Sequence, residues 1–462
     1  VLPTTTMDIE RQLHSRRGGD VSSSTAYGTA HQWLDARSEI ITTMSNELNT
    51  DIDSLLHLTK LPLAIQSMLT GMVIVADWMA SDQNLFSLDD SGSYHGNQNE
   101  RVRKSWESLN LPSPWSMKNA NIGNPDVFFH RRFGIPDVFH INELQKYVLK
   151  KSATDDVDLM IIEAPMGIGK TEAALLAAEQ MARRKGSGGL VFALPTQATA
   201  NGIFPRLKQW IYHVSDGSES LRLLHGNASL NSDVEHMRKR EWRVKTYGDN
   251  NDAIRAPDWF NGSKQGILSN FVVCTIDQIL MAALRQKHFM LRHIGLAGKV
   301  IIVDEVHASD TYMEVYMERA LQWLSSMNCS VILLSATLDY SRRNSLIKAY
   351  AEGQGRLDIS VPDAHNSYPL ISTYHHAIDM YTPSVRNDST NIHIHPLSDS
   401  PANLLQRLLA DGGCAAVIHN TVREAQETYD DFIEQGWDSS ELMLFHSRFT
   451  PTDRSRLEQA IM

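Results

Sequence analysis

Cysteine is scarce in this chain: three among 462 residues, at Cys274, Cys329 and Cys414. Their number is odd and their spacing wide. That excludes a disulfide framework and a zinc-ligand pattern, and it suits free thiols in a reducing compartment. A basic excess is absent as well. Lys and Arg number 43 against 54 Asp and Glu, a formal charge of -11. This argues against a surface coated in nucleic acid but leaves room for a narrow positive groove. Arg238, Lys239, Arg240, Arg243 and Lys245 form one basic cluster, which is either such a groove or a solvated helix face. Long hydrophobic runs are also missing. The greasiest stretch, LPLAIQSMLTGMVIVA (61–76), is interrupted by Gln66, Ser67 and Thr70 and stops at Asp77, too short and too polar for a bilayer span. No secretory pattern opens the sequence. A cytoplasmic chain without membrane contact is expected.

What is present needs more than one hydrophobic core, so two or three domains are expected. RQLHSRRGGDVSSSTAYG (11–28) is polar and turn-rich and reads as a loop. Between 55 and 82 the residues Leu55, Leu56, Leu58, Leu61, Ile65, Leu69, Met72, Val75 and Met79 recur at helical spacing, which predicts one or two buried helices. Residues 89–99 are rich in Gly, Ser and Asn, and Pro112 and Pro114 follow, so a linker is expected near 88–130. Beyond 155 the pattern changes. DLMIIEA, GGLVFALP, FVVCT, KVIIVDEVH and SVILLSAT are short continuous apolar runs separated by helical or loop material. They read as parallel strands covered on both faces, one doubly wound α/β domain over roughly 140–355. VPDAHNSYPLISTYHHAIDM (361–380) reads as a connection. A second α/β pattern then begins: NLLQRLLADG as helix, CAAVIHNT as strand, REAQETYDDFIEQGW as helix, ELMLFHSRF as strand or its flank, and a helix from Asp453. Two strands in about one hundred residues suggest an incomplete domain or a small decorative one.

The strand at 158–162 runs into APMGIGKTEA and then a long helix. A turn with inward N–H groups followed by a helix N-terminus cradles phosphates. Gly167 and Gly169 supply the turn, Ala164 stands where the usual fingerprint has its first glycine, and Lys170-Thr171 follow. In this setting Lys170 would reach the β and γ phosphates, and the Thr171 hydroxyl would hold magnesium. KVIIVDEVH brings the required carboxylates: Asp304 and Glu305 close a buried strand, where ligand-facing residues of open parallel sheets sit. One of the two would hold the magnesium or its water and the other would polarise the attacking water. His307 is either a hydrogen-bonding link from the nucleotide to the rest of the domain or a loop histidine. Ser335 and Thr337 end a similar strand and can bond to the acidic motif or a neighbouring loop.

Taken together, these segments resemble a superfamily 2 helicase and, more narrowly, the CRISPR-associated helicase-nuclease of type I systems. FGIPDVFHINELQ (133–145) resembles the stretch ending in an adenine-reading glutamine, here Gln145. LPTQATANGIF (194–204) and CTIDQIL (274–280) resemble strand-contacting motifs, which places Thr196, Gln197, Thr199 and Thr275 against nucleic acid, with Gln278 as a further polar residue of the second. DEVHASDTYM (304–313), LLSATL, HNTVREAQ (419–426) and LFHSRFTPTDR (444–454) follow in the family's order. GMVIVADWMASDQNLF (71–86) is similar to the last motif of the family's HD nuclease domain, in which Asp77 helps to hold a metal pair. Read without that resemblance, Asp77 is a helix cap or half of a buried salt bridge.

The resemblance implies an all-α partial HD domain (1–115) ahead of two RecA-like domains with doubly wound parallel sheets, the first at 116–355 and the second, incomplete, at 356–462. It implies ATP and Mg2+ as cofactors, and a divalent transition metal in a complete HD domain. It further implies single-stranded DNA, the non-target strand, and an RNA-guided type I surveillance complex as partners, and a monomer. The sequence also departs from the pattern: no His-Asp dipeptide occurs, and His14, His31 and His57 stand isolated. The expectation is therefore of a segment that starts after most nuclease ligands and stops before the arginine finger. Two other readings fit the motifs, an RNA helicase of superfamily 2 and an ATP-binding scaffold without motor activity.

Overall fold

The computed structural model describes residues 31–51, 61–86, 98–109, 111–117, 121–215, 219–225, 254–255, 265–284, 289–308, 311–363, 367–384, 394, 396–397 and 400–461. The 11–28 loop, Leu55, Leu56, Leu58, His14, His57 and the basic cluster at 238–245 lie outside these residues, and so does the side chain of His31. By its internal contacts the chain divides at Gln66/Ser67. The described part of the first unit is helix α1 (His31–Glu47) and the start of α2 (Leu63–Ala80).

The second unit takes in the rest of α2 and continues through α3 (Gln98–Leu109), α4 (Pro125–Phe133) and α5 (Glu143–Thr154) into strand β1 (Leu159–Glu163). It goes on with α6 (Lys170–Lys185), β2 (Leu190–Leu194), α7 (Gln197–Val214), β3 (Glu219–Leu224), β4 (Ile254–Arg255), β5 (Phe271–Thr275), α8 (Ile276–Leu280), α9 (Phe289–Leu296), β6 (Val300–Val303), α10 (Thr311–Ser326), β7 (Ser330–Ser335) and α11 (Tyr340–Gly353). Strands β8 (Leu370–Tyr374) and β9 (Ile378–Tyr381) and helices α12 (Pro401–Leu408), α13 (Val422–Glu434) and α14 (Pro451–Ile461) complete it.

Among the described residues nine strands form one sheet in the order β4-β3-β5-β2-β6-β7-β1-β8-β9. From β4 to β1 every pairing is parallel, with register such as Ile161 opposite Leu333 and Phe192 opposite both Val273 and Ile302. The five apolar runs read as strands are β1, β2, β5, β6 and β7, and every residue in them is buried. Side chains covered on both faces need no polar alternation, which is why these runs are continuous. Parallel neighbours need crossovers, and the helices supply them. On α6 every residue from Ala173 to Ala182 is buried. Trp115 sits edge-on to Trp210 (5.6 Å between ring centroids) and to Phe271 (5.1 Å), which fixes the incoming chain against α7 and β5.

Four expectations are corrected here. The region 88–130 is not a plain linker: it holds α3 and α4, and Trp115 joins the core. The 361–380 stretch is not a plain connection: β8 pairs antiparallel with β1 and β9 with β8. CAAVIHNT and ELMLFHSRF form no strands, and Ile418 is 90% exposed. The helix at 63–80 is not buried: Met72 and Val73 are more than half exposed, and Asp77 is exposed in its last turns. This 18-residue helix is the one described element that is long and apolar enough, by length and composition, to cross a membrane. The same test is passed by helices of soluble proteins. All three cysteines are free, and burial pushes the thiols of Cys274 and Cys329 up to about 12.

Candidate nucleotide-binding site

The site is built where parallel strands end. Glu163 closes β1, and residues 164–169 turn back over the sheet edge into α6. Gly167 (φ 78°) and Gly169 (φ 83°) take left-handed backbone angles, which glycine adopts without steric cost. Gly169 has a second reason to be glycine, since a Cβ there would lie 2.3 Å from Gln145 Nε2. Asp304 and Glu305 follow β6, two strands away with β7 between. Glu305 is also left-handed at φ 52°. For a residue with a Cβ this costs about 1–3 kcal/mol, and such strain gathers at functional sites.

These ends enclose a cavity of about 290 Å³ lined by Met166, Gly167, Gly169, Lys170, Thr171, Glu172, Arg206, Asp304, Glu305, His307 and Ala336. That volume is at the small end of ligand clefts, which run from about 300 to 1,000 Å³. The Lys170 ammonium is half-buried and donates to the carbonyls of Ala164 (2.6 Å) and Pro165 (2.9 Å). Burial lowers its pKa, and the nearby Asp304 and Glu305 charges pull it back up. Burial raises the Asp304 pKa, against a hydrogen bond from the Glu305 N–H (2.9 Å) and the attraction of Lys170 and His307. Thr171 and Asp304 both line the cavity and bring hard oxygen donors, a hydroxyl and a carboxylate, a donor set that fits Mg2+.

His307 Nδ1 is 3.1 Å from Ser335 Oγ, and Ser335 Oγ donates to the Thr337 carbonyl (2.6 Å). The acidic segment is thereby tied to the end of β7 through a hydroxyl. The Thr337 side chain itself is exposed. Gln145 is buried and both ends of its amide are engaged. Nε2 donates to the Gly169 carbonyl (3.1 Å), and Oε1 accepts the Asn142 N–H (3.1 Å) in the capping box of α5. Asn142 Nδ2 donates to the Ile168 carbonyl (2.8 Å), so the start of α5 braces the glycine turn from behind. Gln145 does not line the cavity.

The residues expected on nucleic acid lie at the same sheet edge, after β2 and β5. Thr196 caps α7 in a reciprocal capping box with Thr199, and Thr196, Gln197 and Thr199 are exposed. Thr275 is 7% exposed, because the small helix α8 starts directly behind it. Gln278 Oε1 accepts from Arg292 (2.7 Å). Asp77 is joined by no metal-holding group: among the described residues, no three His, Cys, Asp or Glu side chains form a cluster that could hold a metal ion. The described residues therefore do not make a nuclease metal centre. Glu172 and Arg206 were not singled out from sequence, although both line the cavity and form an ion pair.

Comparison with known proteins places these segments. The DEAD/DEAH box helicase family matches residues 142–345, the Cas3 HD domain family matches 7–86, and the C-terminal family of the CRISPR-associated nuclease/helicase Cas3 matches 411–462. The CRISPR-associated nuclease/helicase Cas3 of Streptococcus thermophilus is 36% identical over 436 residues, 89% of this chain and 45% of that protein. The crystal structure of T. fusca Cas3-ADP superposes with a TM-score of 0.74 at 31% identity, covering 95% of this chain and 50% of that one. A chain in a CRISPR RNA-guided surveillance complex, pre-nicking, superposes with a TM-score of 0.58 at 29% identity, covering 94% and 46%. The chain thus spans about half the length of the relatives it matches. HD, DEAD-box and Cas3 C-terminal matches stand in that order along one polypeptide, and the chain belongs to the Cas3-like CRISPR-associated helicase-nucleases.

Proposed function

We propose that this chain carries the ATP-driven motor of a single-stranded DNA translocase of CRISPR interference, coupled in the whole protein to metal-dependent cutting of that strand. The observation that carries the reading is the 290 Å³ cavity that Lys170 and Thr171, from the first turn of α6, line together with Asp304 and Glu305, which follow β6. The proposed bounds are a helical HD-type part at 1–115, a first RecA-like domain at 116–355, and the start of a second at 356–462, whose strands β8 and β9 extend the sheet of the first.

In this reading the amide-lined turn around Gly167 and Gly169 receives the phosphates and Lys170 neutralises them. Thr171 and Asp304 hold Mg2+, and the Glu305 carboxylate accepts a proton from the attacking water. The hydrogen bond from His307 to Ser335 carries a change at the nucleotide to the end of β7. Gln145 braces the loop from behind through both ends of its amide. Thr196, Gln197, Thr199 and Thr275 line the track of the DNA strand. Asp77 belongs to the nuclease site of the whole protein. The similarity to a chain in an RNA-guided surveillance complex supports recruitment by such a complex. The acidic chain, at -11, suits a narrow track rather than a broad basic surface, and a cytoplasmic monomer fits this role.

The test is ATP hydrolysis by the intact protein with and without single-stranded DNA or RNA. DNA stimulation that disappears in Lys170→Ala supports the motor. Stimulation by RNA alone, or nucleotide binding with no turnover, defeats it.

A further inference from the structure

Five charged side chains line the cavity: Lys170 and Arg206 against Glu172, Asp304 and Glu305. Glu172 sits in the first turn of α6, one residue past Thr171, where a carboxylate faces the incoming negative charge of a polyphosphate. It is mostly covered, with its side chain 15% exposed, whereas the Arg206 side chain is 58% exposed. Arg206 Nη2 donates to Glu172 Oε1 across the gap between α7 and α6. No other arginine lines the cavity among the described residues.

The chemistry of this pair differs from that of Lys170. The Lys170 ammonium is fixed on the loop carbonyls beneath the phosphate turn. Arg206 reaches in from another helix, and its planar fork pairs with a carboxylate or a phosphate by the same geometry. Its partner now is a carboxylate, and a terminal phosphate in this cavity would present the same oxygens with more charge. Pro205 precedes it inside α7, and a proline supplies no N–H to the helix ladder. The helix is therefore unpinned by one hydrogen bond immediately before the arginine.

We infer that Arg206 is the residue by which this domain tells a nucleoside triphosphate from a diphosphate: its guanidinium exchanges Glu172 for the terminal phosphate, and Glu172 is the internal competitor that sets the threshold of that exchange. The inference rests on the nucleotide reading of the cavity. It gives opposite effects for the two partners. Removing the arginine weakens triphosphate binding. Removing the competitor charge strengthens it. A surface salt bridge with a purely structural role would give losses of the same sign, and small ones.

The experiment is equilibrium binding of fluorescent mant-ATP and mant-ADP, with Mg2+, to the full chain and to Arg206→Gln, Arg206→Lys, Glu172→Gln and Lys170→Ala. Arg206→Gln is expected to weaken mant-ATP by about tenfold or more, the scale of a charged hydrogen bond, and mant-ADP by less than about twofold on the same reasoning. Arg206→Lys is expected to restore part of the loss, since charge returns without the fork. Glu172→Gln is expected to tighten mant-ATP several-fold. If Arg206→Gln leaves the ATP-to-ADP preference unchanged while Lys170→Ala abolishes binding, the inference is overturned and the nucleotide site stands. If Lys170→Ala also leaves binding unchanged, the cavity is not the nucleotide site and both fall. Losses of the same sign in Arg206→Gln and Glu172→Gln overturn the inference as well.

Discussion

Ser67 Oγ lies 2.6 Å from His293 Nδ1, and the opposite ring nitrogen, Nε2, lies 2.7 Å from the Ala282 carbonyl. A carbonyl only accepts, so Nε2 carries the proton and Nδ1 accepts from the serine hydroxyl. The ring is fully buried, with Phe289 edge-on at 5.2 Å and Trp323 at 4.3 Å. Nearby, a Cβ on Gly71 would lie 2.6 Å from the Met290 carbonyl. The helix that carries Asp77 is thus fastened to α9 by a close backbone approach and by one neutral histidine.

That histidine makes folding sensitive to acid. Burial lowers its pKa below 6.5, with the Ala282 hydrogen bond opposing. The unfolded chain therefore binds the extra proton first. The stabilisation is complete above about pH 6.5 and is lost as pH falls through the lowered folded value. His293→Gln, which keeps a donor for Ala282 without a titrating ring, is expected to flatten the dependence of melting temperature on pH between about 7 and 5.5. Equal slopes in the two proteins would show that His293 is not held neutral.

Lysine 299 titrates in a different window. Its ammonium is buried and donates to the carbonyls of Ile267 (2.8 Å) and Ser269 (2.5 Å), and burial brings its pKa down from 10.5 to about 7. Between those values the unfolded chain holds a proton that the folded chain has released, so stability rises with pH from about 7 toward 10.5. Lys299→Met removes the titrating group, and its expected signature is the loss of that rise in denaturant titrations at pH 7.5 and 9. A rise that survives the substitution would assign it to other groups.

For catalysis the sharpest contrast is between Lys170 and Glu305. Lys170→Ala is expected to abolish nucleotide binding. Glu305→Gln is expected to leave binding within about threefold while lowering ATP turnover by about 10²–10⁴-fold, the usual scale for a lost general base. Isothermal titration beside a phosphate-release assay separates the two. Turnover within tenfold of wild type in Glu305→Gln would move the base elsewhere.

Gln145 poses a narrower question. Its amide bridges the α5 capping box and the Gly169 carbonyl, so removing it loosens the glycine turn whatever base a bound nucleotide carries. In this geometry Gln145→Ala is expected to weaken mant-ATP and mant-GTP to a similar degree. A loss confined to mant-ATP would show that the side chain leaves the loop and reads adenine.

The legible parts of the sequence were those whose signal is local. β1, β2, β5, β6 and β7 are apolar throughout because both faces are covered, and the glycine turn and the acidic strand exit are contiguous motifs. β3 escaped because ESLRLL buries Glu219 and Arg222, so its polar letters hide a strand. β8 escaped because prolines and histidines around LISTY read as loop, while its place is set by pairing with β1 more than two hundred residues earlier. The reverse error at CAAVIHNT has the same root. An apolar run becomes a strand only through a paired neighbour, and none stands beside it among the described residues. Arg206 gave no signal, since its meaning depends on α7 packing beside α6. Glu172 did give one, a carboxylate directly after Thr171, the residue proposed to hold magnesium.

The pair Arg132 and Glu179 tests how far buried charge supports this domain. Arg132 Nε lies 3.0 and 2.9 Å from the two Glu179 oxygens, and Nη2 lies 2.6 Å from Oε1. Nη1 donates to the His213 carbonyl at 3.3 Å, and the guanidinium sits 4.6 Å over the Phe128 ring. Both side chains are essentially inaccessible, at 1% and 0%. The pair joins α4, α6 and α7, the helices around the glycine turn and the Thr196 cap. Burial pushes the Glu179 pKa up and the arginine opposes it. Glu179→Ala leaves a buried guanidinium without its counter-charge and is expected to cost about 3–5 kcal/mol in urea unfolding. The double change Arg132→Met with Glu179→Leu removes both charges and keeps the volume, so it is expected to recover most of that loss. A Glu179→Ala cost below about 1 kcal/mol would mean that water reaches the arginine, and the three helices would then be held by their apolar contacts alone.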